Sequence, residues 1–301
     1  MKLLITGSNG LLGQKISQLL EDQPQITWFA SARGKSAIPI KHGAFISLDV
    51  TDEGQVEAVF AEIKPDVVIH TAAMTMVDQC ETERDACWKA NVHAVEYLVR
   101  ACEKHQTHLV HVSTDFIFDG SHGHLDENEK PAPVNFYGES KLAAEEVILR
   151  SNISWAILRT VLVYGITHDM SRSNIVLWVK NSLEQGKTIQ VVNDQFRTPT
   201  LAEDLAMGCF LAATRKAKGV YNISGKDYLT PYDMAIMTAD YFGLDKSLIK
   251  QTDSTQFKQP ARRPLITGFV IDKARKELGY EPHSFQEGIG IVAAQSAKLT
   301  A

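Results

Sequence analysis

The chain has 301 residues, 44% of them hydrophobic, which suits one large domain or a large domain carrying a smaller one. A net charge of -5, a pI near 6.1 and no Lys/Arg run longer than two residues exclude the basic footprint of a polynucleotide binder. Cys80, Cys87, Cys102 and Cys209 are scattered without a CxxC pair, Met1 to Ile5 leave no room for a signal peptide, and no apolar run nears the ~20 residues that cross a bilayer, so a cytoplasmic protein with reduced thiols and no membrane contact is expected.

A β-prone run at 2–6 leads into Thr6-Gly7-Ser8-Asn9-Gly10-Leu11-Leu12-Gly13 and a helix over 11–20. Glycines between a strand and a helix let a pyrophosphate approach backbone N–H groups at the positive helix end, which makes Gly7, Asn9, Gly10, Leu11, Leu12 and Gly13 candidate cofactor contacts. The spacing is GxxGxxG, a variant of the dinucleotide fingerprint. A second strand at 26–30 ends in Ser31-Ala32-Arg33-Gly34-Lys35, where an NAD-selecting chain would place Asp or Glu for the ribose hydroxyl. Arg33, with Lys35 beside it, can instead pair with a 2′-phosphate, which predicts NADPH with NADH possible. Asp49 and Val50, after a third strand region, would border the adenine. A helix over 55–63 and a buried strand at 67–71 follow, and Ala72 and Ala73 at that strand's end would pack near the ribose.

A helix over 85–104 precedes a strand at 109–113, and His70 and His111, beside apolar strand ends, read as core histidines. Thr114 ends the fifth strand and puts a hydroxyl at the same sheet edge as the glycine turn. His122, His124, Asp126 and Glu127 lie in a Gly- and Pro-marked connector, where no metal site is expected. In the helix over 137–150, Tyr137 and Lys141 are four residues apart and share one face. A nearby ammonium lowers a phenol's pKa from about 10, so such a tyrosine can exchange a proton with a carbonyl or alcohol. Thr114, Tyr137 and Lys141 are therefore the catalytic candidates.

After a strand at 156–159 the alternation fades into helices at 174–185, 202–214, 231–242 and 272–278 with a strand at 188–192. The expected fold is α/β: a Rossmann-type, doubly wound parallel sheet with a smaller, interleaved C-terminal substrate lobe. Residues 1–165 would form the dinucleotide-binding domain and 166–301 mainly the lobe, with segments near 188–215 returning to the first domain.

These motifs resemble the extended short-chain dehydrogenases/reductases, and within them the dTDP-4-dehydrorhamnose reductase family. The likeness runs through Thr6 to Gly13, Thr71-Ala72-Ala73, Val77-Asp78, Glu81, Asn91-Val92, Ser113 to Gly120, Tyr137 to Lys141, Leu158-Arg159-Thr160, Val163-Tyr164-Gly165, Asp194-Gln195, Thr198-Pro199-Thr200, Arg263-Pro264 and Asp272. It implies that Tyr137 protonates a C4 oxygen, that Lys141 lowers the Tyr137 pKa, that both touch the cofactor, and that Thr114 holds the carbonyl. Asn91 would anchor the helix or a relay water. Substrate contacts are implied at Thr75, Val77, Asp115, Asn174, Gln195 and Arg197, with a nucleotide-sugar substrate, no metal and a homodimer. Dehydratases of the superfamily carry Asp-Glu where this chain has Asp115-Phe116, so dehydration is disfavoured. Met74 and Met76 depart from the family pattern and would reshape the sugar pocket, while Arg197, where glycine is usual, would contact the diphosphate or turn outward. The rival readings are a reductase or epimerase of another nucleotide sugar, and a non-catalytic regulatory subunit.

Overall fold

The computed structural model describes residues 1–168, 174–257 and 259–300. In chain order the first half contains β1 (Lys2–Thr6), α1 (Leu11–Glu21), β2 (Thr27–Ala32), β3 (Ala44–Ser47), α2 (Glu53–Ile63), β4 (Val67–His70), α3 (Val77–Thr82), α4 (Arg84–Trp88), α5 (Ala94–His105), β5 (His108–Thr114) and α6 (Phe136–Leu149). The second half contains β6 (Trp155–Thr160), β7 (Val163–Tyr164), α7 (Ile175–Glu184), β8 (Ile189–Val192), β9 (Thr200–Leu201), α8 (Ala202–Thr214), β10 (Gly219–Asn222), α9 (Pro231–Phe242), β11 (Ile249–Thr252), α10 (Asp272–Leu278) and α11 (Phe285–Thr300).

Seven parallel strands form the central sheet in the order β10-β6-β5-β4-β1-β2-β3. Successive strand residues face opposite sides, and both sides are apolar. Leu3 and Ile5 of β1 pack with Ile16 and Leu20 of α1, Leu205 and Cys209 of α8 and Ala274 of α10. Leu4 packs with Val56 and Phe60 of α2, Leu98 of α5 and Ala144 and Ile148 of α6. β1 lies between β2 and β4, so strand order reverses there and a crevice opens at their carboxyl ends, the usual ligand position in such sheets.

The segment expected as one helix over 85–104 is α4 and α5 joined by a π-helical turn, Lys89–His93. That wider turn buries Asn91. Downstream, β8 pairs with β11 in a separate two-stranded sheet, whereas α8 packs on α1 and β10 joins the central sheet beside β6. Residues 202–222 thus lie with the central sheet, while the strand at 188–192 pairs with β11 outside it. A separate apolar cluster joins Val179 and Leu183 of α7 to Ala235 and Ala239 of α9, with Ile189 and Ile249 from the small sheet.

Arg159 and Glu145 form a charged pair sealed inside. Arg159 of β6 donates from Nε (3.2 Å) and Nη2 (2.8 Å) to the two carboxylate oxygens of Glu145 on α6, and the residues are 4% and 0% exposed. Removing one partner of such a pair leaves the other charged and desolvated. Arg159→Leu is therefore expected to lower stability by about 3–5 kcal/mol, read as a lower urea midpoint with unchanged slope, and Arg159→Met with Glu145→Leu should recover most of the loss. A single variant as stable as the parent would contradict this.

Candidate active site

The turn after β1 depends on missing side chains. Gly7 has φ +77°, and a Cβ there would lie 2.6 Å from the Ala72 backbone nitrogen; one on Gly13 would lie 2.3 Å from the Gly7 carbonyl oxygen. The Gly10 N–H donates to the Gly7 oxygen (3.0 Å), and among the described residues no side chain caps α1 at Gly10. The N–H groups of Leu11, Leu12 and Gly13 consequently have no acceptor within the helix, and the Ser8 hydroxyl is buried without a hydrogen-bond partner among the described residues. Backbone donors at a positive helix end, on a floor too tight for Cβ atoms, fit a dinucleotide pyrophosphate.

The Asn9 side chain braces the neighbouring loop. Its amide nitrogen donates to the Lys35 oxygen (2.8 Å) and its Oδ1 accepts from the Ala37 N–H (2.9 Å), so it fixes the loop after β2 that carries Arg33 and Lys35, both exposed. Ala72 and Ala73 are half-buried, with the Ala72 backbone against Gly7. Asp49 and Val50 are half-buried after β3, and Asp49 Oδ1 accepts from the N–H (2.9 Å) and hydroxyl (2.8 Å) of Thr51.

α6 is held at its start. Asn135 caps it through Oδ1 to the Gly138 N–H (2.8 Å), and Glu81 Oε1 accepts from the Phe136 N–H (2.6 Å). Asn91 Nδ2 donates to Ser140 Oγ (2.9 Å), and Asn91 Oδ1 accepts from the Met74 N–H (2.8 Å), which ties α6 to the strand end after β4. Thr114, Tyr137 and Lys141 come together here, 7%, 8% and 2% exposed. Thr114 Oγ1 accepts from the Phe116 N–H (3.2 Å) and donates to Asp115 Oδ1 (3.1 Å). The Phe116 ring meets the Tyr137 ring edge-on at 5.7 Å.

Burial pushes the Tyr137 phenol above its ordinary value, with a Thr114 hydrogen bond opposing, so the proton stays on Oη through neutral pH. Lys141 Nζ is turned to the Val112 carbonyl (2.8 Å) and to His111 Nε2 (3.1 Å), and burial brings its own pKa down to about 8. His111, read from sequence as a core histidine, thus touches Lys141.

The proposed substrate contacts divide. Asn174 and Gln195 line a cavity of about 530 Å³ with Trp178, Phe257 and Arg263. Thr75 is exposed, and Val77 is half-buried at the start of α3. Asp115 is 2% exposed, with Oδ2 accepting from Thr267 Oγ1 (2.5 Å). Arg197 neither reaches outward nor faces the cavity: its guanidinium is buried, 3.8 Å from Asp115 and donating to the Phe196, Leu265 and Pro264 carbonyls. Burying a guanidinium requires such a set of acceptors, which removes Arg197 from the diphosphate. Arg263, passed over as a site residue, reaches the cavity while paired with both oxygens of Asp78 (2.9 and 2.8 Å). Among the described residues no group of three or more His, Cys, Asp and Glu is placed to hold a metal, and no helix is long and apolar enough to cross a membrane.

Fold and site together define an NAD(P)H-dependent oxidoreductase of the extended short-chain dehydrogenase/reductase class. A family model described as RmlD substrate binding domain matches residues 1–297, and the chain belongs to this dTDP-4-dehydrorhamnose reductase family. It is 28% identical to a probable low-salt glycan biosynthesis reductase, Agl14, of Haloferax volcanii, over 98% of both chains. It is 31% identical to the methionine adenosyltransferase 2 subunit beta of Xenopus laevis, over 83% of this chain and 74% of that one. Among solved structures, a dTDP-4-dehydrorhamnose reductase of Clostridium acetobutylicum superposes with a TM-score of 0.85 at 28% identity, covering 99% of this chain and 100% of the other. The dTDP-4-dehydrorhamnose reductase of Bacillus anthracis, solved in complex with NADP, gives 0.82 at 26% identity over 98% and 99%.

A Gly13→Ala variant must push the turn open, because its Cβ meets the Gly7 oxygen and the Ser8 Cα at 2.3 and 2.6 Å. NADPH binding, read by fluorescence titration, is expected to weaken about a hundredfold, or about 2.7 kcal/mol. An unchanged Kd would show that the turn does not hold the cofactor.

Proposed function

We propose that the chain reduces the C4 ketone of a nucleotide-linked 6-deoxy sugar, dTDP-4-dehydro-L-rhamnose first among them, with NADPH preferred over NADH. The observation that carries this reading is the burial of Thr114, Tyr137 and Lys141 together at the carboxyl edge of the sheet, near the cofactor-sized glycine turn. The names of the two solved reductases, one of them with NADP, support the reaction and the cofactor.

When bound, the reduced nicotinamide supplies the hydride. Tyr137 Oη holds a proton at neutral pH and delivers it to the C4 oxygen. The Thr114 hydroxyl orients that oxygen. Lys141 has three protons to donate; two go to Val112 and His111, and the third serves the nicotinamide ribose or the phenolate that Tyr137 becomes. Phe116 brings no acid or base beside Tyr137, in keeping with reduction rather than dehydration. Arg33 and Lys35 would meet the 2′-phosphate, and the cavity at Asn174, Gln195 and Arg263 would take the nucleotide half of the substrate. Residues 1–165 then serve mainly the cofactor and 166–301 mainly the substrate, in a cytoplasmic homodimer.

The likeness to the methionine adenosyltransferase subunit favours a second reading, a non-catalytic subunit that kept the cofactor pocket. Turnover separates the two. Purified protein given dTDP-4-dehydro-L-rhamnose is expected to consume NADPH faster than NADH, and Tyr137→Phe should lose about 10²–10⁴-fold in kcat while still binding cofactor. No substrate-dependent oxidation with dTDP-, UDP- or GDP-linked keto sugars would favour the regulatory reading, and full activity in Tyr137→Phe would remove that residue from the mechanism.

A further inference from the structure

Lys141 is buried, and among the described residues it has no carboxylate as a hydrogen-bond partner. Its two acceptors are the Val112 carbonyl oxygen (2.8 Å) and His111 Nε2 (3.1 Å). An ammonium only donates, so His111 must present a lone pair at Nε2 and carry its proton on Nδ1. His111 Nδ1 is buried and has no hydrogen-bond partner among the described residues. A ring serving only as filler would not need a buried N–H left without a partner, and an apolar side chain would serve the core better.

A second histidine sets the ring's attitude. His70, on β4, stacks on His111 with centroids 5.3 Å apart and planes 28° apart, and its Nδ1 is hydrogen-bonded to Thr6 Oγ1 at 2.6 Å. Thr6 is the last residue of β1, directly before the glycine turn. Burial is the first cause and Lys141 the next in keeping both rings neutral, His70 down to about 3 and His111 well below its ordinary value. The other groups acting on Lys141 are Glu145 on its own helix and Cys87 on α4, both of which favour its charge. Tyr137 lies one turn before it on α6.

We propose that His111 is a positioning residue for the reaction: as an acceptor at Nε2, oriented by His70, it holds Lys141 in its charged form and aims it at the cofactor and Tyr137. The proposal rests on the reading of Lys141 as a working residue of the site, and its test needs neither substrate nor turnover. A hydrogen bond accepted from the charged form raises the proton affinity of a buried lysine. Losing it should favour the neutral amine and leave the side chain without its lateral hold.

The pKa of Lys141 can be followed from the ¹³Cε shift of labelled lysine against pH, assigned with Lys141→Arg. The parent should titrate near 8, His111→Leu about one unit lower, a tenfold loss of proton affinity, and His111→Gln, which keeps an acceptor, close to the parent. In the unmodified protein, ¹⁵N shifts of the His111 ring should report the neutral Nδ1–H tautomer from pH 5 to 9, about the range over which ordinary histidines titrate. An unchanged lysine titration in His111→Leu, or a His111 ring that is protonated on Nε2, would overturn the proposal. If the predicted shifts appear but no sugar is reduced, the positioning role stands and the assigned reaction fails.

Discussion

The site depends on how closely α6 crosses the end of β5. A Cβ on Gly138 would stand 2.1 Å from the Phe116 carbonyl oxygen, so only glycine lets the helix lie where it does. That approach sets Tyr137 against Thr114 and brings Lys141, one turn further on, within reach of the β5 backbone at Val112. Glu81, Asn135 and Asn91 each fasten the first turns of the helix to a different segment. Groups held this rigidly can donate and accept at fixed places without reorganising, which is what a proton-transfer site requires.

The segment after β11 closes the arrangement from the other side. Arg263 pairs with Asp78 at the start of α3, the Arg262 carbonyl accepts from Asn135, and Thr267 donates to Asp115 beside Thr114. Arg197 joins the same knot by donating to the Pro264 and Leu265 carbonyls beneath Asp115. Asp115 is a buried carboxylate whose pKa burial raises, and the Arg197 charge with the Thr267 and Thr114 hydroxyls acts against that rise. A buried network with most of its members paired is rigid, and here it ties the late chain to the strand end at Thr114.

Much of this was legible in the sequence because local patterns carried it. Alternating apolar strands and amphipathic helices gave the sheet, and GxxGxxG and YxxxK fell at strand and helix ends where the fold brings them to one edge. The π turn at Asn91 could not be read, since one extra residue in a helical turn leaves no mark on composition. β10 was missed because four residues, one of them glycine, make a weak strand signal, and α11 because Gly288 and Gly290 break its pattern. Arg197 looked like an anion ligand because charge is visible in sequence and burial is not. The same blindness hid the Lys141 environment: spacing gave its neighbour Tyr137, whereas its contact with His111, thirty positions earlier, exists only once β5 and α6 pack.

Under the proposed function, Tyr137 Oη gives a proton to a C4 oxygen whose carbon is reduced by the bound nicotinamide. The most direct measurement is the fate of the label when NADPH carrying deuterium at both hydrogen positions of nicotinamide C4 is incubated with the protein and dTDP-4-dehydro-L-rhamnose. Deuterium at C4 of the product sugar, seen by NMR and absent with Tyr137→Phe, is the result expected. No deuterium at C4 of the product sugar although NADPH is oxidised, or deuterium at another sugar carbon, would contradict it.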